Sequence, residues 1–267
     1  MSSDSAMIAP PPPRQRGFVS AGAVLFIAAA MGTIRLCDTP ACCSTIPMPG
    51  GWSLSRFWMP AAGQSWFGAA AAFVGMWVVM MAAMMLPSLM PVLVNYRRAG
   101  GDLGWAALAA SGYFFAWTLF GMVLYPIGAT LAGLAVRNNS ISRAAPFAFG
   151  VVLLLAGLNQ FAPWKSRQLG CCRVAPPAPP CQLNCELNPT RAWKFGLRLG
   201  GHCILCCLGF MLTLTVLGAM DLTAMLGVTI GITLERLTAN PVRVARASGA
   251  LIVLAALFTI ARAMRLV

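Results

Sequence analysis

Charge is scarce in this sequence. Only 9% of its 267 residues are charged, six residues are acidic and one is histidine, whereas a soluble domain carries about 25% charged residues. With 59% hydrophobic residues and a mean hydropathy of +0.76, that shortage excludes an ordinary soluble protein. No nucleotide-binding loop, catalytic-triad pattern or zincin motif is present, which disfavours ATP-driven pumping. The long apolar runs are continuous, without the polar–apolar alternation of barrel strands, so a transmembrane barrel is excluded too. No internal repeat is evident.

What remains is a set of apolar runs of membrane-spanning length. Crossing the hydrocarbon takes about 20 apolar residues in a helix, and only helices or closed barrels satisfy the backbone in lipid. The expectation is an all-α polytopic transmembrane bundle of about seven helices, in one domain over residues 17–267. Net charge is +13, but the Lys and Arg residues sit at the ends of the apolar runs. They serve orientation in the bilayer, not binding of nucleic acid.

Residues 1–16 are Ser-, Pro- and Ala-rich, with Pro10 to Pro13 consecutive, and read as a disordered or polyproline tail. The first helix follows at about residues 18–34. Ala28-Ala29-Ala30 offers a signal-peptidase site, against the expectation of a retained helix. Further helices are expected at about 66–86, 103–136, 145–161, 195–219, 222–237 and 244–264. Pro87 and Pro91 are expected to kink or interrupt the end of the second, and Pro126 to break the third. Residues 35–64 and the Cys/Pro-rich 164–193 read as loops. The sixth helix is short; if it is re-entrant, six helices span.

Orientation follows from the positive charges. With the N-terminus inside and seven crossings, the inner side holds thirteen: Arg14, Arg16, Arg97, Arg98, Lys165, Arg167, Arg173, Arg191, Lys194, Arg198, Arg236, Arg243 and Arg246. The outer side holds six: Arg35, Arg56, Arg137, Arg143, Arg262 and Arg265. The cytoplasm is therefore the expected side of the N-terminus. Cys37, Cys42 and Cys43 then face an oxidising exterior that permits a disulfide. Cys171, Cys172, Cys181 and Cys185 face the reducing cytoplasm, as free thiols or soft-metal ligands, with a spacing that matches no standard zinc module.

The densest chemistry lies in residues 196–207, which hold three of the ten cysteines and the sole histidine. On a helix Cys203 faces both Cys206 and Cys207, and His202 pairs with Cys206. Thiolate and imidazole suit Cu(I) and Zn(II). On the second helix Met76, Met80 and Met84 recur at i, i+4, as do Met81 and Met85. Methionine is first of all an apolar filler, but depth connects the two sets. Met84 and Met85 lie ~20 Å from Arg97 along an ideal helix, and Cys206 and Cys207 ~12–14 Å from Arg198. Thioether with thiolate is the donor set that selects Cu(I). Gly196 and Gly200 would let the methionine helix approach. Asp221 reads as an interfacial cap or an entry site, and Glu235 with Arg236 as an ion pair near the interface.

Three groups of residues carry a resemblance: Trp77-x-x-Met80 with Ala83-Met84-Met85-x-Pro87 and Pro91; Gln160-x-x-Pro163-x-Lys165 with Cys172; and Gly196-x-x-x-Gly200-x-x-Cys203-x-x-Cys206-Cys207 with Met220 and Leu234-Glu235-Arg236. Together, over roughly residues 65–240, the chain resembles a bacterial family of predicted metal-binding integral membrane proteins, sometimes labelled copper chaperones. The resemblance implies metal binding and a place in a bacterial inner membrane. The residues expected to bind, from soft donors on two helices at compatible depth, are Cys203, Cys206, Cys207, Met84 and Met85, with His202, Met80 and Cys172 as further candidates. Three positions depart from the pattern: Gln168 stands where a loop cysteine is expected, Leu199 where histidine is common and His202 where an aromatic is common. By that comparison, His202 substitutes for an imidazole one turn away.

The leading expectation is a membrane protein that binds Cu(I), or else Zn(II), and passes it across the membrane or to a metal-donating or metal-receiving protein. Two other readings stand beside it. Cys203-x-x-Cys206 is also the pattern of a membrane thiol–disulfide oxidoreductase, although such enzymes serve the oxidising side. Alternatively, the cysteines are buried apolar residues in a scaffold subunit of a membrane complex.

Overall fold

A computed structural model describes residues 13–37, 45–60, 63–98, 102–173, 188–218 and 221–266. The tail before Pro13 and Cys42, Cys43, Cys181, Cys185 and Met220 lie outside them. Among the described residues, eight α-helices and one hairpin are formed: α1 (Pro13–Cys37), β1 (Thr45–Met48), β2 (Trp52–Ser55), α2 (Trp66–Arg98), α3 (Leu103–Arg137), α4 (Asn139–Asn159), α5 (Pro163–Arg173), α6 (Pro189–Leu217), α7 (Leu222–Leu237) and α8 (Pro241–Leu266). Six of the helices, α1 to α4, α6 and α8, are long and apolar enough to cross a membrane. The chain is an all-α, multi-pass membrane protein.

Local chemistry sets the boundaries. Asp102, Asn138, Asn188 and Asp221 cap α3, α4, α6 and α7, their side chains accepting from the first free N–H groups. Asp221 is therefore a helix cap, and the hydroxyl of Thr223 holds its carboxyl below the ordinary range. The expected proline breaks do not occur. The helix runs unbroken through Pro87 and Pro91 in α2 and through Pro126 in α3, as packed membrane helices allow.

Two segments read as loops contain regular structure. Residues 45–55 form an antiparallel hairpin, turned at Gly50 and Gly51 with φ 108° and 74°. It docks on the start of α4: Trp52 Nε1 donates to Ser142 O at 2.8 Å, and Ser142 Oγ donates to Pro49 O at 2.9 Å. The other segment contains α5, which begins on Pro163, a residue pre-set for the first helical turn. No apolar run marks this helix. It buries only one side, through Lys165 and Leu169, four residues apart.

Close approaches fix the helix directions. Gly196 lies against Ala109 and Gly200 against Tyr113 and Ala116, so α6 runs parallel to α3. The expected partner of this glycine face was the methionine helix; spacing shows that a neighbour comes close without saying which. Gly157 meets Val253 and Gly150 meets Ile260, so α4 and α8 are antiparallel. Gly231 lies against Phe210 while Arg236 reaches Cys203, so α7 turns back along α6.

A Cβ at Gly196 would sit 1.9 Å from the carbonyl oxygen of Ala109, a backbone atom that cannot yield, whereas one at Gly201 would meet nothing within 4 Å. We expect Gly196→Ala to destabilise the protein by about 1–3 kcal/mol or more and Gly201→Ala to be neutral or stabilising. Thermal unfolding of the two variants in detergent checks this; equal stabilities would contradict the α3–α6 contact.

A candidate metal centre of thiols and a guanidinium

Cys203, Cys206 and Cys207 sit midway along α6, all buried. Helical spacing brings Cys203 and Cys207 onto one strip, with their sulfurs 4.0 Å apart. Cys206 is equally buried and lies three residues before Gly209, which packs against Ala156 of α4.

Three other helices converge on the pair. From α3, Tyr113 Oη lies 2.9 Å from Cys203 Sγ. From α7, Arg236 Nη2 donates to Cys203 Sγ at 2.7 Å and to Cys207 Sγ at 3.6 Å. Arg236 Nη1 donates to Ser88 Oγ of α2 at 3.2 Å, and Ser88 Oγ donates to the carbonyl of Met85 at 3.0 Å. One guanidinium thus joins the cysteine helix to the methionine helix. Met80, Met81, Met84 and Met85 are all buried in the same apolar cluster as the three cysteines. Stacking of Tyr96 on Phe195, with centroids 5.1 Å apart, adds a second link between α2 and α6.

Glu235 faces elsewhere. It pairs with Lys165 of α5 at 2.9 Å, both side chains at most 3% exposed, and accepts from Ser248 Oγ of α8 at 2.9 Å. The Lys165 ammonium also lies 5.1 Å from the ring centroid of Phe210. The expected Glu235–Arg236 ion pair is therefore replaced by two separate sets of contacts. Consecutive helical residues point about 100° apart, so one reaches α5 and α8 while the other reaches α6 and α2.

His202 is only partly buried, and its Nδ1 lies 2.6 Å from Gln168 Oε1 of α5. Two of the three positions that depart from the family pattern, Gln168 and His202, therefore meet each other. Cys172 lies on α5, but its side chain is outside the described residues. Among the described residues, no three His, Cys, Asp or Glu side chains form a group that could hold a metal ion. What is assembled is the pair Cys203 and Cys207, with the Cys206 thiol hydrogen-bonded to Cys207.

Two thiols at that separation could share one soft metal ion. Sulfurs 4.0 Å apart with metal–sulfur bonds of about 2.3 Å subtend roughly 120° at a shared ion, leaving room for a third donor. Sequence reasoning missed Arg236 and Tyr113 as neighbours of the thiols, and Ser88 as the partner of Arg236. Their one signal is polarity inside otherwise apolar helices.

The fold and this site define a multi-pass membrane protein with a buried thiol pair held against an arginine. The model of the PpoB2 copper chaperone family matches residues 74–259, and the chain belongs to that family. The matched region holds Met80, Met84, Met85, the three α6 cysteines and Arg236. No curated protein and no solved structure matches the chain.

Proposed function

We propose that the protein takes up Cu(I) inside its helix bundle, on Cys203 and Cys207, and hands it to a partner protein or across the membrane. The carrying observation is the thiol pair with sulfurs 4.0 Å apart, buried in the same apolar cluster as the methionines of α2. Thiolate and thioether together select Cu(I), and membership of a copper chaperone family points to the same cargo. Cys206, hydrogen-bonded to Cys207, and Met80, Met84 and Met85 of the same apolar cluster would complete coordination or pass the ion on. His202 of α6, which contacts Gln168 of α5, and Cys172 are further candidate donors. Zn(II) is the second candidate ion.

We place the protein in the inner membrane with its N-terminus in the cytoplasm. Since α7 returns along α6, the seven-crossing reading, with an external C-terminus, is the one we adopt. The 16 residues of α7 make it the shortest of these crossings.

The reading is tested by loading purified protein with Cu(I) under reducing conditions and measuring copper per chain after desalting. About one ion retained per thiol pair is expected. Copper at background would reject the proposal and favour a scaffold role.

A further inference from the structure

The thiol pair has a property that copper handling alone does not require: it is held against a permanent positive charge. Arg236 Nη2 donates to both sulfurs, at 2.7 and 3.6 Å, and a guanidinium stays protonated in proteins. Its position is enforced. Ser88 takes the other nitrogen, and Glu235, the next residue, is tied to Lys165 and Ser248 on different helices. The side chain is 6% exposed, so water screens its charge weakly.

We infer that Arg236 sets the charge of the ion this site accepts, making it selective for soft monovalent cations as anionic dithiolate complexes. Resting on the copper reading above, this adds what separates Cu(I) from other thiophilic metals. Two thiolates and a monovalent ion carry a net charge of −1, which the guanidinium neutralises. With a divalent ion they carry zero, and the guanidinium charge then remains beside a neutral complex in a low-dielectric interior. Softness alone does not discriminate in this way, since divalent soft ions bind thiolates well. Hydrogen bonds from Arg236 to the sulfurs also favour the complex that keeps most negative charge on sulfur.

Ag(I) and Cd(II) isolate the effect, because both are soft and they differ in charge. Intact wild-type protein is titrated with Cu(I), Ag(I), Zn(II) and Cd(II) in competition with chelators of known affinity, and the same series is run on Arg236→Gln and Arg236→Lys. The wild type is expected to hold Cu(I) and Ag(I) with the same stoichiometry. Arg236→Gln is expected to weaken both by roughly ten- to a hundredfold, the size of a lost charged hydrogen bond, while Zn(II) and Cd(II) binding stays level or strengthens. Arg236→Lys, which keeps the charge, is expected to retain most of the monovalent preference.

Wild-type protein that takes Cd(II) on Cys203 and Cys207 as tightly as Ag(I) would overturn the inference and leave the copper reading standing. So would an Arg236→Gln variant whose affinities for all four ions are unchanged or fall in parallel. Wild-type protein that takes up neither Cu(I) nor Ag(I) would remove the copper reading, and this inference with it. The wild-type comparison decides even if the glutamine variant does not fold.

Discussion

Replacing Cys203 and Cys207 together by serine is expected to bring bound copper from about one ion per chain to background, because two hydroxyls cannot replace two thiolates for a soft ion. Each single replacement is expected to remove most of the binding, since one sulfur with a neighbouring thioether is a much poorer chelate. Cys206→Ser separates the present reading from a three-cysteine site. The sulfurs 4.0 Å apart are those of Cys203 and Cys207, while Cys206 is hydrogen-bonded to Cys207 and lies three residues before Gly209, which packs on α4. Cys206→Ser should therefore keep the copper stoichiometry, with a smaller loss of affinity. Copper per chain, measured beside thermal unfolding in detergent, distinguishes ligand loss from unfolding. If Cys206→Ser loses copper as completely as Cys203→Ser while remaining folded, the ligand assignment shifts to all three thiols. The same series addresses the redox alternative: a Cys203–Cys206 dithiol enzyme would lose its activity with either residue and be indifferent to Cys207.

How much of this was legible beforehand differs by level. The membrane helices were, because an apolar run of membrane length has few other meanings, and α7 falls on the residues expected of the short sixth helix. The i, i+4 geometry of Cys203 and Cys207 was equally plain, since it depends on one helix alone. What sequence spacing cannot give is the partner across an interface. Gly196 and Gly200 announced a close neighbour, and it is α3. Glu235 and Arg236 announced charge beside charge; adjacent on α7, they serve different neighbours. Lys165 sat in what read as a loop, because α5 has no apolar run and its burial depends on α6 and α7 packing over it. The family motifs did carry Lys165, Glu235 and Arg236 together without saying why. The contacts supply the reason: the first two hold α7 in place, and the third reaches the sulfurs.

The second large effect concerns that anchor. Glu235→Gln is expected to destabilise the protein by about 3–5 kcal/mol, the cost of leaving one member of a buried ion pair without its partner. Lys165 is 1% exposed and Glu235 2%, so neither can recover hydration without moving α5 or α7. For a chain of this size about 4 kcal/mol corresponds to a midpoint lower by roughly 10 °C, measurable by thermal unfolding in detergent. Lys165→Met should cost a similar amount, because it strands the carboxylate. The double variant Lys165→Met/Glu235→Leu, which removes both charges, should recover most of the loss, since an apolar pair of like volume often replaces a buried ion pair without penalty. Copper binding need not follow stability in this series. If the ion pair also fixes the register of α7, the double variant folds yet presents Arg236 less firmly to Cys203, and its preference for Ag(I) over Cd(II) narrows. A double variant with wild-type stability and wild-type metal preference would confine the pair to ordinary packing. A Glu235→Gln variant with an unchanged midpoint would mean that water or another group reaches Lys165, contrary to its burial here.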